Sequence, residues 1–190
     1  MTNSLRSGEH FVGSIRRLDD GKGAARMEDI YDTDAEDLWS ALTDPIRLAR
    51  WVAVVEGDLR LGGRFHGRFT SGYEGSGRVD ICDAPRRLRV TMDPDSPEET
   101  VIEAWLTAIG DQTHLVVEER GLPIDELAAH GAGWQAHVED LAAHVAGRQP
   151  GEWRGRWAQL RPTYEEMAGR RTGERAVRRA TKLAGGRRPD

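Results

Sequence analysis

The chain has 190 residues, 38% of them apolar and 31% charged, which suits one domain with a core of its own plus some tail. Its single cysteine, Cys82, excludes an internal disulfide and a thiolate metal cluster. No stretch approaches the roughly 18 apolar residues of a transmembrane helix. The net charge of −5 is uneven: residues 170–190 carry +6 and the first 169 carry −11. An acidic body with a basic end argues against nucleic acid as the main partner. "MTNSLRSGEHF" lacks the apolar run of a signal peptide, so a cytoplasmic location without membrane association is expected.

Two extended runs come first, Val12 to Leu18 and Ala24 to Tyr31, around the turn signal Asp19-Asp20-Gly21-Lys22. They predict a hairpin or one long bent strand. In "DLWSALTDPIRLARWV" the spacing of Leu38, Trp39 and Leu42 predicts a short helix capped by Thr33 or Asp34. Pro45 ends it and opens a second helix, with Asp44 as cap. The period then switches to two. Strands are predicted over Val54 to Leu61, Arg64 to Phe69, Gly77 to Cys82, Arg87 to Met92, Thr100 to Ile109 and His114 to Arg120. Their short links make them sequential antiparallel neighbours. Beyond "GLP", Leu127, Trp134, Val138, Leu141 and Val145 mark a long amphipathic helix from about Pro123 to Ala146. "GAG" at 131–133 lets something approach its backbone closely. Trp153, Trp157, Leu160 and Tyr164 continue a helical pattern from Glu152 to Met167, with a break expected at Pro162.

The compact solution is an α+β fold. A curved antiparallel sheet of about six or seven strands wraps the long C-terminal helix, with two short helices after the first strand plugging one end. The body spans residues 1–147, a helical extension 148–169, and a basic tail expected to be disordered 170–190.

The segments "DAEDLWSALTDPIRLARWV", "GDLRLGGRFHGRF", "GRVDICDAPRRLRVTM", "TVIEAWLTAIGDQTHLVVEERGLP" and "GWQAHVEDLAAHV", in this order and spacing, resemble the homologues of the heat shock protein 90 ATPase activator. This family sits in the START-like (SRPBCC, helix-grip) superfamily. The resemblance implies a cavity between the sheet and the long helix.

His130, His137 and His144 recur every seven residues, about 10 Å apart on a helix, too far to share one ion. No metal site and no cofactor is expected. Arg64, His66 and Arg68 alternate with Phe65, Gly67 and Phe69, giving a basic and an aromatic face. Both faces of the strand carrying Glu103 and Trp105 are partly apolar, so parity alone leaves their side open. A Glu103 or Glu119 turned inward would have its pKa raised by burial and become a candidate acid or base. Candidate ligand contacts are therefore Trp39, Trp51, Phe65, His66, Glu103, Trp105 and Trp134; no catalytic constellation stands out.

The leading expectation is a protein that binds a small apolar or amphipathic molecule in that cavity. The alternatives are a cyclase- or hydrolase-like enzyme using the same cavity, and a protein-interaction module acting on a chaperone or a regulator, or a homodimer, built on an exposed patch around Trp153 and Trp157.

Overall fold

A computed structural model describes the backbone of residues 12–184 and the side chains of residues 13–169. Among the described residues, eight strands form one wholly antiparallel sheet: β1 (Val12–Arg17), β2 (Gly23–Tyr31), β3 (Ala53–Gly57), β4 (Arg64–Phe69), β5 (Glu74–Asp83), β6 (Arg87–Met92), β7 (Thr100–Ile109) and β8 (Gln112–Leu122). Their spatial order is β1-β2-β8-β7-β6-β5-β4-β3. The count exceeds the expected six or seven because the N-terminal runs form a true hairpin, Val12 pairing with Glu28 and Arg17 with Gly23.

This order explains the two short helices. β3 to β8 form a meander, but β2 pairs with β8 while β3 is the far edge of the sheet. The chain must cross from one side of the curved sheet to the other between them. It does so through α1 (Ala35–Thr43) and α2 (Pro45–Leu48). Asp34 caps α1 by accepting from the Asp37 amide at 2.8 Å. Asp44 caps α2 by accepting from the Ile46 amide at 2.7 Å, one residue before Pro45 occupies the first position. Each cap satisfies amides that have no partner inside the helix.

The long helix α3 (Leu127–Val145) lies across β1 and β2 on the concave face and reaches β8 through the His130 and Trp134 side chains. Ala25 and Met27 of β2 pack beneath it, and the Tyr31 hydroxyl donates to its Val138 carbonyl at 3.2 Å. A last helix, α4 (Trp153–Ala184), docks against α3 and β1. Its backbone runs unbroken through Pro162, where a break was expected. Packing on α3 outweighs the loss of one backbone hydrogen bond there. The helix also covers residues 170–184, part of the stretch expected to be disordered; residues 1–11 and 185–190 lie outside the described residues.

What approaches the small residues of α3 is α4. A Cβ on Gly131 would come within 2.4 Å of the Tyr164 ring and 2.7 Å of Ile15. Trp157 donates to the Ala129 carbonyl at 3.0 Å, stacks on Trp153 and lies under the Arg161 guanidinium. The aromatic patch proposed for an external partner is thus turned onto the protein's own α3.

Candidate functional site

An apolar cavity of about 160 Å³ opens under the α1–α2 bracket. Leu42, Leu48, Trp51 and Val52 form its roof. Its floor is the concave face of β3 to β8, including Phe65, Phe69, Val79, Val90, Ile102 and Val117. Alternation builds this floor: on β6, Leu88, Val90 and Met92 face in while Arg87, Arg89 and Thr91 face out. On β5 a register shift between Val79 and Ile81 inserts one residue. Val79 and Cys82 therefore both face the cavity, while Arg78 and Asp80 pair on the outside at 2.6 Å. Bare backbone on β5 accommodates the β4 aromatic: a Cβ on Gly77 would sit 2.1 Å from the Phe65 ring.

The polar lining atoms are already engaged. Trp51 donates its indole N–H to the Ala41 carbonyl at 3.0 Å, Thr43 its hydroxyl to the Trp39 carbonyl at 2.8 Å, and Trp134 its N–H to Glu119 Oε2 at 2.7 Å. Exposed Cys82 is the one ionisable side chain among the lining residues. The enclosed surface therefore offers dispersion and desolvation with little to hydrogen-bond.

Of the seven candidate contacts, the structure brings Trp51, Phe65 and Trp134 to the cavity wall. Trp39 packs against the same core cluster without lining the void. His66 lies on the exposed face of β4, 3.9 Å from Glu74. Glu103 and Trp105 share the outer face of β7, because Ile102 and Ala104, one residue away, face in. The cavity itself departs from expectation in one respect: α3 supplies only Trp134, since the helix covers the other half of the sheet. The inward residues of β6 follow a legible alternation; the shift on β5 has no signal in the sequence.

Glu103 is 1% exposed at its side chain, held by Arg87 at 2.6 Å, Arg89 at 3.0 Å and Arg120 at 2.7 Å. Burial opposes its charge, but Arg87 and Arg89 outweigh that and hold its carboxyl below the ordinary value. Glu119 does point inward, yet its pKa is lowered, not raised. Burial works against the charge, and His130, Trp134 and Thr100 together overcome it. Both carboxyls are thus held toward the ionised form.

The three α3 histidines have separate fates. His130 stands 3.2 Å from Glu119 and 3.7 Å from Glu126. His137 is buried against the Trp153 ring, and burial pushes its pKa down to about 4. His144 accepts from Arg47 Nε at 3.3 Å. Asp140 accepts from the Gly151 amide at 2.9 Å and ties down the α3–α4 connection.

The His130–Glu119 pair predicts a pH profile. Glu119's folded pKa lies below its ordinary 4.5, so its contribution is present above 4.5 and lost as pH falls through the folded value. Burial opposes the charge of His130, but Glu119 and Glu126 outweigh it and raise the folded pKa above 6.5. Its contribution is therefore present below 6.5 and lost as pH rises through that folded value. Thermal unfolding of wild type and His130→Gln should differ most between those two ordinary values and converge toward pH 9. A difference independent of pH would show that the pair is not the cause.

A curved antiparallel sheet gripping a long helix, with a two-helix bracket over an apolar cavity, defines the START-like, helix-grip class. Residues 32–146 match the family model "Activator of Hsp90 ATPase homolog 1-like protein", and the chain belongs to that family. Among solved structures, CalU16 of Micromonospora echinospora is similar at 26% identity and a TM-score of 0.70, covering 84% of this chain and 99% of its own. DynU16, from the dynemicin biosynthetic locus, is similar at 25% identity and a TM-score of 0.60 over 68% of this chain; the match spans only 50% of DynU16. A protein of Bordetella parapertussis shares the fold at 24% identity and a TM-score of 0.62. No curated protein sequence matches the chain. Among the described residues, no helix is long and apolar enough to cross a membrane.

Proposed function

We propose that this protein binds a small apolar or amphipathic organic molecule in the cavity beneath the α1–α2 bracket. The observation that carries this reading is an open apolar void whose polar lining atoms are spent on the protein itself. At about 160 Å³ the enclosed space resembles cavities that take a single aromatic ring and falls below the ~300 Å³ of a typical drug-sized site. The enclosed part of the ligand is thus a ring or short chain without hydrogen-bonding groups, and any polar end lies at the mouth beside exposed Cys82. The place of DynU16 in a biosynthetic locus supports an organic product or intermediate as the ligand class. The cyclase or hydrolase alternative finds no carboxylate or imidazole on the cavity wall.

Cys82, the chain's only cysteine, reports on occupancy. Toluene, naphthalene and short fatty acids should slow its reaction with a thiol reagent. At tenfold excess over Kd they should raise the melting temperature by about 3–5 °C. Ala104→Leu, which fills the floor, should abolish both effects. If none of these compounds protects Cys82 or shifts melting, the reading fails.

A further inference from the structure

Trp134 is the one residue through which α3 reaches the cavity. Large side chains are normally held by packing on all sides. A side chain bordering a void lacks neighbours there, and its ring is free to relax into the empty space unless something on the other side restrains it. For Trp134 that restraint is a directional bond: its indole N–H donates to Glu119 Oε2 at 2.7 Å.

Glu119 is itself fixed from three directions. The same Oε2 faces His130 Nδ1 at 3.2 Å, one helical turn before Trp134 on α3. Oε1 accepts from Thr100 Oγ1, at the start of β7, at 2.8 Å. The carboxylate, 7% exposed, thus joins β7, β8 and α3 at one point. An ionised carboxylate accepts up to about four bonds, and charged acceptors bind more strongly than neutral ones. The His137 ring meets the Trp134 ring edge-on, 6.0 Å between centroids, and bounds its remaining freedom.

We infer that Glu119 is a positioning residue for the ligand cavity, holding the Trp134 indole back as a wall, with Thr100 orienting the carboxylate and His130 supplying its counter-charge. This rests on the ligand-binding reading above and adds a consequence. Without Glu119 the indole settles into the void. An indole tipped into the void takes up part of it, so larger ligands suffer most. Glu119 therefore sets the upper size that the site accepts, without touching the ligand.

The test pairs Glu119→Leu with Trp134→Phe, which removes the donor, and titrates toluene and naphthalene calorimetrically. In the wild-type background Glu119→Leu should weaken naphthalene at least ~10-fold, as befits loss of a bond to a charged group, and toluene clearly less. In the Trp134→Phe background the same change should alter naphthalene affinity less than ~2-fold. A ligand-free arm uses near-ultraviolet circular dichroism, with the Trp134 signal isolated as wild type minus Trp134→Phe. Glu119→Leu should change that signal and Glu119→Gln, which keeps an acceptor, should largely restore it. If the leucine variant does not fold, Thr100→Val gives the same reading in milder form. Equal affinity losses in both backgrounds, or an unaltered Trp134 signal, overturn the inference. If neither probe binds wild type, the ligand-binding reading falls separately and the spectrum alone decides whether Glu119 positions Trp134.

Discussion

Tyr164→Ala should lower the unfolding free energy by about 3–5 kcal/mol, the usual cost of deleting a large buried aromatic. Tyr164 is 0% exposed. Its ring lies directly on Gly131 of α3, in the space that glycine's missing side chain leaves. Its hydroxyl donates to Gln135 Oε1 at 2.9 Å and lies 3.6 Å from Met27 Sδ. Alanine leaves a hole bounded by Gly131 and Ile15, and the glycine has no side chain with which to fill it. The same site separates packing from hydrogen bonding: Tyr164→Phe should cost only about 1 kcal/mol. Urea unfolding measures both, and limited proteolysis should cut α4 of the alanine variant first. A loss below 1 kcal/mol for Tyr164→Ala would mean that α4 does not dock on α3 as described.

Glu103→Gln should cost about 2 kcal/mol at neutral pH. Removing one partner from a buried ion pair costs roughly 3–5 kcal/mol. Arg87, Arg89 and Arg120, however, are 34–41% exposed at their side chains, so each can turn partly to water and the upper range does not apply. The sign of the pH dependence is set by the lowered pKa of Glu103: its contribution is present above the ordinary 4.5 and lost as pH falls through the folded value. Melting temperatures of wild type and Glu103→Gln should thus differ by several degrees at pH 7 and converge toward pH 2. A gap of the same size at both would assign the loss to packing instead of charge.

These two positions also separate what was readable in the chain from what was not. A cap at Thr33 or Asp34, the cap at Asp44, the stop at Pro45, the strand period and the helical stripe of α3 are all short-range. Each follows from amides within a turn or side chains within a few residues, so the order of elements, the helix-grip resemblance and the need for a close neighbour at Gly131 were legible. Which neighbour comes close was not, since Tyr164 lies 33 positions further on. Glu103 and Glu119 both stood on strands with an undecided face. Alternation says that adjacent residues point opposite ways, but not which way is in.

Sequence by itself therefore determined the strands, the helical bracket and their antiparallel order, because those depend on local periodicity and capping. Only the tertiary structure decided that Glu103 and Trp105 face outward, that α3 covers one half of the sheet and leaves the other half to the cavity, and that α4 passes through Pro162. The physical reason is the same in each case. A side chain's face, charge state and partners are set by long-range packing, and an inserted residue such as that on β5 reverses the alternation without leaving a local trace.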